Sequence, residues 1–148
     1  MNRRSLPGRT LNETLSAELG REVVKLDALP ITGGQIIRLT FEGGASSWRQ
    51  GVRIATEGTL RANDVSAPQL DLWPDIAPPT VEIACESSDG LLRIYNIWQS
   101  GRRPGVESQS HTSGMLVEAL PDGSRRYQCN DIGFTPDFSK LVFRISIT

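Results

Sequence analysis

The stretch Val81-Glu82-Ile83-Ala84-Cys85-Glu86-Ser87-Ser88-Asp89-Gly90-Leu91-Leu92-Arg93-Ile94-Tyr95-Asn96-Ile97-Trp98 decides the fold class. Val81, Ile83 and Cys85 alternate with Glu82 and Glu86, the period of two that sends successive side chains to opposite faces of a sheet. Asp89-Gly90 follows, a residue pair that tolerates the positive φ of a tight hairpin turn. Beyond it, Leu92, Ile94 and Trp98 share one face and Leu91, Tyr95 and Ile97 the other, so this second strand is apolar on both sides and belongs in the middle of a sheet.

The same period extends in both directions along the chain. Leu141, Phe143, Ile145 and Ile147 alternate with Arg144, Ser146 and Thr148; Ile37, Leu39 and Phe41 alternate with Arg38 and Thr40; Val52 and Ile54 alternate with Arg53, Ala55 and Glu57. Pro121-Asp122-Gly123 predicts a second hairpin between residues 115–120 and 125–129, and Glu42-Gly43-Gly44 and Asp75 to Pro79 predict further turns. Six to nine short strands without crossover helices point to an all-β, antiparallel β-sandwich of jelly-roll type.

Upstream of residue 23 the pattern is helical. Thr10-Leu11-Asn12-Glu13 reads as a capping box, Leu11, Leu15 and Leu19 recur every four residues, and Gly20 supplies a left-handed stop. A short amphipathic helix over about 11–19 follows, acting as a lid. The chain therefore divides into an N-terminal arm, 1–22, and a β-sandwich domain, 23–148.

With 148 residues and 38% hydrophobic residues the chain closes one core. Sixteen basic against 17 acidic residues leave a formal net charge of -1, which provides no global field for nucleic acid or an anionic membrane. Met1 to Arg9 carries charge but no apolar run, so it is no leader peptide, and no stretch approaches a membrane span; a cytoplasmic location is expected. Cys85 and Cys129, in two different strands, read as reduced thiols.

Residues 100–114 form a long, polar, patternless loop, and loops of that length are functional or disordered. The loop carries Arg102, Arg103, Glu107 and His111, the single histidine, and is entered through Asn96 and Trp98. Trp48 and Trp73 also fall beside loops. Loop-borne indoles can form a platform for a sugar ring or an aliphatic side chain, with Asn and Arg fixing orientation, or can plug the ends of a sandwich. The leading expectation is a non-catalytic recognition module that binds a carbohydrate or a protein surface through Trp48, Trp73, Trp98, Asn96, Arg102, Arg103 and His111.

The rival is a small hydrolase or transferase with His111 as general base, oriented by Glu107 or Asp131. A pair between His111 and Cys129 would need a reactive thiol, but Cys129 shares the core-facing side of its strand with Tyr127. A third possibility is an assembly role through a sheet edge, as a homo-oligomer. No cofactor motif is present. One histidine and two distant cysteines do not make a zinc site. Asn130, Asp131 and Asp137 offer oxygen ligands for calcium, but their spacing matches no calcium loop, and Asn130-Asp131 ahead of Gly133 reads as a turn. Arg102-Arg103 and Arg125-Arg126 could converge on an anion; solvated surface is the plainer reading.

Overall fold

A computed structural model describes residues 8–132 and 135–148. The residues up to Pro7, and Gly133 of the turn reading, lie outside them. In chain order the elements are β1 (Thr10–Leu11), α1 (Glu13–Leu19), β2 (Val24–Pro30), β3 (Ile36–Gly43), β4 (Arg49–Ala62), β5 (Val65–Leu72), β6 (Thr80–Ser87), β7 (Leu91–Gln99), β8 (Glu107–Ser108), β9 (Gly114–Ala119), β10 (Arg125–Asn130) and β11 (Leu141–Ile147).

All pairings are antiparallel, and eight strands close into a barrel in the order β2-β9-β10-β11-β3-β6-β4-β7 and back to β2. This corrects the sandwich expectation. A half-buried strand alternates in the same way whether its sheet stacks on another or curls onto itself. The distinction lies in the closing pairs, such as Asp27 with Ile94 and Val24 with Met115, which join segments far apart in sequence and leave no periodic trace.

The interior is filled, as an eight-stranded barrel allows. Ile37, Leu39, Ile54, Ile83, Leu92, Ile94, Met115, Cys129, Phe143 and Ile145 form one continuous core, and Tyr127 stacks on Phe143 with ring centroids 4.7 Å apart. Both cysteines are free thiols within it. Burial pushes the Cys129 thiol well above its ordinary range, which makes it inert as a nucleophile.

Two joints are thin. Strands β2 and β9 share a single pair, Val24 with Met115. Beside this joint Arg9 reaches in to pair with Asp27, its Nε and Nη2 each 2.7 Å from Oδ1. Asp27 is fully buried, and the Tyr127 hydroxyl donates to its Oδ2 at 2.6 Å while Arg125 stands 3.6 Å away. The second joint is between β4 and β6, which meet at only Thr59, Leu60 and Arg61. There the pairing of β4 is interrupted between Ala55 and Leu60, and a Cβ on Gly58 would stand 2.2 Å from the Ser87 carbonyl oxygen, so only glycine fits.

The helix is shorter than expected and differently capped. Asn12, not Thr10, is its N-cap, accepting from the Leu15 N–H, while Thr10 pairs with β2 and Gly20 ends the helix at φ 68°. The Asn12 amide also donates to the backbone oxygens of His111 and Ser113, both at 2.9 Å, which docks α1 against the end of the barrel where β9 begins.

The hairpin predicted at Pro121-Asp122-Gly123 forms between β9 and β10, with Gly123 at φ 89°; Asp89-Gly90 makes a tight turn, Gly90 at φ 98°, but not the expected hairpin, because β6 and β7 pair with separate stretches of β4 and not with each other. Strand β5 gave no pattern because it pairs only with β4 and half of its residues are exposed; Pro68 sits within the interruption between the two. No helix of the described residues is long and apolar enough to cross a membrane.

Candidate functional site

The barrel has two unlike ends. At one, short turns join β2 to β3, β4 to β5, β6 to β7 and β9 to β10. At the other stand the connection 44–48 and the longer ones 73–79, 100–113 and 131–140. The cleft linings show which of these connections meet: Trp48 stands with Pro74, Asp75 and Lys140, and Arg102 to His111 with Trp98 and Ile132.

Beneath that end the barrel interior turns polar. Gln50 and Trp98 are cross-strand partners, followed by Val52 with Asn96. Gln50 donates to Asp131 at 2.8 Å, Asp131 also accepts from Lys140 at 2.5 Å, and Asn96 donates to the Asn130 carbonyl at 3.1 Å. The Asn130 amide in turn donates to the Thr112 carbonyl and accepts from the Asp137 N–H, so these side chains tie the loops 100–113 and 131–140 to each other and to the strands. Two polar atoms in this layer are buried without a hydrogen-bond partner, Gln50 Oε1 and Trp98 Nε1. The donor bond to Asp131 fixes which end of the Gln50 amide is oxygen, because a flipped amide would set two acceptors against each other.

The three indoles do not share a platform. Trp98 is 1% exposed, a plug beneath the rim. Trp73 is 8% exposed, with the Arg49 guanidinium 4.2 Å from its ring centroid on one side and the backbone of Gly51 against it, where a Cβ would lie 2.6 Å from the ring. Trp48 alone is half-buried, with Arg102 over its ring at 5.0 Å. What distinguishes Trp48 is its place in a wide loop, against strand-end positions for the other two.

Trp48 borders a cleft of ≈ 570 Å³ whose apolar surface comes from Phe41, Pro74 and Leu141. Its polar groups are held in place. Arg49 forks onto Asp75, with Nε to Oδ2 at 2.8 Å and Nη2 to Oδ1 at 3.1 Å, and this holds the Asp75 carboxyl below its ordinary range. Gln50 lies at the base. Sequence reasoning missed Gln50, Lys140 and Asp75, because only the closed barrel brings positions 50, 131 and 140 together.

A second cleft of ≈ 600 Å³ opens over Trp98, bordered by Lys25, Arg102, Arg103, Glu107 and His111. Glu107 accepts from the Ser100 hydroxyl and N–H and stands 3.6 Å from Arg102; these donors, Ser100 first, hold its carboxyl below the usual range. His111 is exposed, and among the described residues no carboxylate bonds to its ring. Asp131 is spent on Lys140 and Gln50, and Cys129 is sealed in the core, so neither general-base nor thiol chemistry has an assembled pair here.

The remaining candidates are placed as follows. The oxygens of Asn130, Asp131 and Asp137 accept from protein N–H groups, Lys140 and Ser139, and among the described residues no three His, Cys, Asp or Glu side chains stand together as a metal requires. Arg125 faces Asp27 and Arg126 pairs with Glu42 and Glu118 on the outer wall, away from Arg102-Arg103. Comparison with protein-family models, with curated proteins and with solved structures finds no match to this chain.

Proposed function

We propose that this protein is a non-catalytic recognition module that holds a segment of a protein partner in the cleft beside Trp48. The observation that carries the reading is Gln50 Oε1, an acceptor fixed by Asp131 at the base of an apolar cleft and lacking a donor. A backbone N–H of an incoming segment supplies that donor, and Trp48, Phe41 and Pro74 supply the apolar contact that a side chain of the partner would bury. A sugar-stacking platform has less support, because two of the three indoles are covered and Arg102 occupies one face of the third.

The test is selection of displayed peptides on the immobilised protein, then titration of the selected peptides and of a soluble glycan panel while the indole N–H resonances are followed. The expected result is a saturable shift of Trp48 by peptides with Trp98 unmoved, and at least tenfold weaker binding by Trp48→Ala. A response to glycans alone would move the assignment to carbohydrate, and silence of Trp48 toward both probes would discard the reading.

A further inference from the structure

We propose that the second cleft of the loop end binds an oxyanion, a phosphate or carboxylate group, held by Lys25, Arg103 and His111 above Trp98. The inference rests on the loop end being the recognition face but uses different residues from the Trp48 cleft.

Charge is the first observation. Three cations, Lys25, Arg102 and Arg103, and the single histidine border this cleft against one carboxylate, Glu107. Glu107 is taken up by Ser100 and Arg102, and its carboxylate also feels Arg103 at longer range without forming an ion pair with it. Among the described residues neither Lys25 nor Arg103 has an ion-pair partner, whereas Arg9, Arg49, Arg53, Arg93 and Arg126 all do. Two cations without an ion pair on the wall of one cleft are the groups that an anion there would satisfy.

The second observation is independent of charge. Trp98 lines the same cleft and is 1% exposed, yet its Nε1 has no acceptor. A buried donor left unmade costs about 1–3 kcal/mol, and an oxyanion is an acceptor on every side.

The loop above is built to admit one. Arg102-Arg103-Pro104 is flanked by Gly101 at φ 80° and Gly105 at φ 83°, so both ends of the basic segment turn on residues that carry no side-chain penalty there. Nε1 lies beneath this lining, and the glycine-bounded segment is what must give way for an anion to reach it.

The experiment is a titration of the 15N-labelled protein at pH 7 with sodium phosphate and, separately, sodium acetate, against sodium chloride at matched ionic strength. Saturable movement of the Trp98 indole N–H by phosphate or acetate, absent with chloride, supports the proposal, and the tighter of the two identifies the oxyanion. Lys25→Ala and Arg103→Ala, both at water-facing side chains, are each expected to weaken binding about tenfold. Equal shifts with chloride, shifts that survive both substitutions, or no shift at all overturn it. Because Trp48 reports on the peptide cleft, a failure here leaves its response to peptides intact, and a failure there leaves the Trp98 response to anions intact.

Discussion

The two ends of this barrel are built from the same strands and obey different rules. At the turn end the chain changes course in a few residues, and each turn is solved locally: Gly90 and Gly123 take positive φ, the Ser124 hydroxyl donates to Asp122, and Asp89 is held in its charged form first by Arg93 and then by the Leu91 N–H. At the loop end local bonds such as Ser139 to Asp137 are joined by long-range ones. Gln50, Asn96, Asn130 and Asp131 are buried through bonds that span tens of residues, and two of the polar atoms left over have no partner. One end is closed by turn chemistry and complete; the other is closed by a polar network and incomplete, as expected where a protein keeps binding capacity at a cost in stability.

Each half also buries a carboxylate, and removing its cation measures the difference between them. Asp27 is fully enclosed and has its closest cation in Arg9, so Arg9→Met leaves a buried charge with only Arg125 at 3.6 Å and the Tyr127 hydroxyl; a loss of about 3 kcal/mol in urea unfolding is expected. Arg9→Met combined with Asp27→Asn should recover much of it, and an unchanged loss in the double variant would mean that Arg9 acts by packing alone. Lys140→Met at the loop end removes the cation of Asp131, but Gln50 and the Ile132 N–H still donate to it, so about 2 kcal/mol is expected. A larger loss for Lys140→Met than for Arg9→Met would reverse the comparison.

The core between the ends has its own signature in pH. Burial and the neighbouring Asp27 carboxylate raise the Tyr127 hydroxyl, and burial raises the Cys129 thiol. Both hold their protons more tightly folded than unfolded, so their stabilisation is complete below the unfolded values, about 8.5 for Cys and 10 for Tyr, and is lost as pH rises beyond them. Cys129 alone should remove about 2 kcal/mol by pH 10, and Cys129→Val should move the onset of alkaline unfolding upward. On the acid side the signs reverse. Asp75, Asp89, Glu107, Asp122 and Asp137 are held below their ordinary range, so their contribution is present above about pH 4 and fades as pH falls through their folded values. A melting temperature that stays flat from pH 9 to 11 would contradict the enclosure of Cys129.

The same contrast explains how far the residues could be read without coordinates. Strands β3, β6, β7 and β11 and the β9–β10 hairpin were legible because alternation and Asp-Gly chemistry act over two to four residues, whereas Asp89-Gly90 promised a hairpin that the pairing of both β6 and β7 with β4 does not allow. The cap at Asn12 was not, since Thr10-x-x-Glu13 satisfies the local rule equally well and only the docking of Asn12 on His111 and Ser113 decides between them. Strand β5 was invisible because, half exposed, it buries no alternating face. At the site, residues 100–114 and Trp48 could be singled out by loop length and residue type, whereas Lys25 and Gln50 lie inside regular strands and are set apart only by what the closed barrel places above them.

The finest test of the comparison uses the two non-glycine residues held at positive φ, which fall one at each end: Asn63 in the β4–β5 turn and Gln109 beside the basic cleft, both at φ 53°. Asparagine tolerates this conformation because its short side chain bonds locally; glutamine has no such compensation. Asn63→Gly should therefore change stability by a few tenths of a kcal/mol, and Gln109→Gly should stabilise by about 1 kcal/mol. If the strain at Gln109 holds Ser108 to His111 against the cleft, the gain in stability should come with weaker phosphate binding, read on the Trp98 indole. Equal effects of the two substitutions on stability, with phosphate affinity unchanged, would show that Gln109 is an ordinary turn residue and that the strain at the loop end lies only in its unpartnered buried atoms.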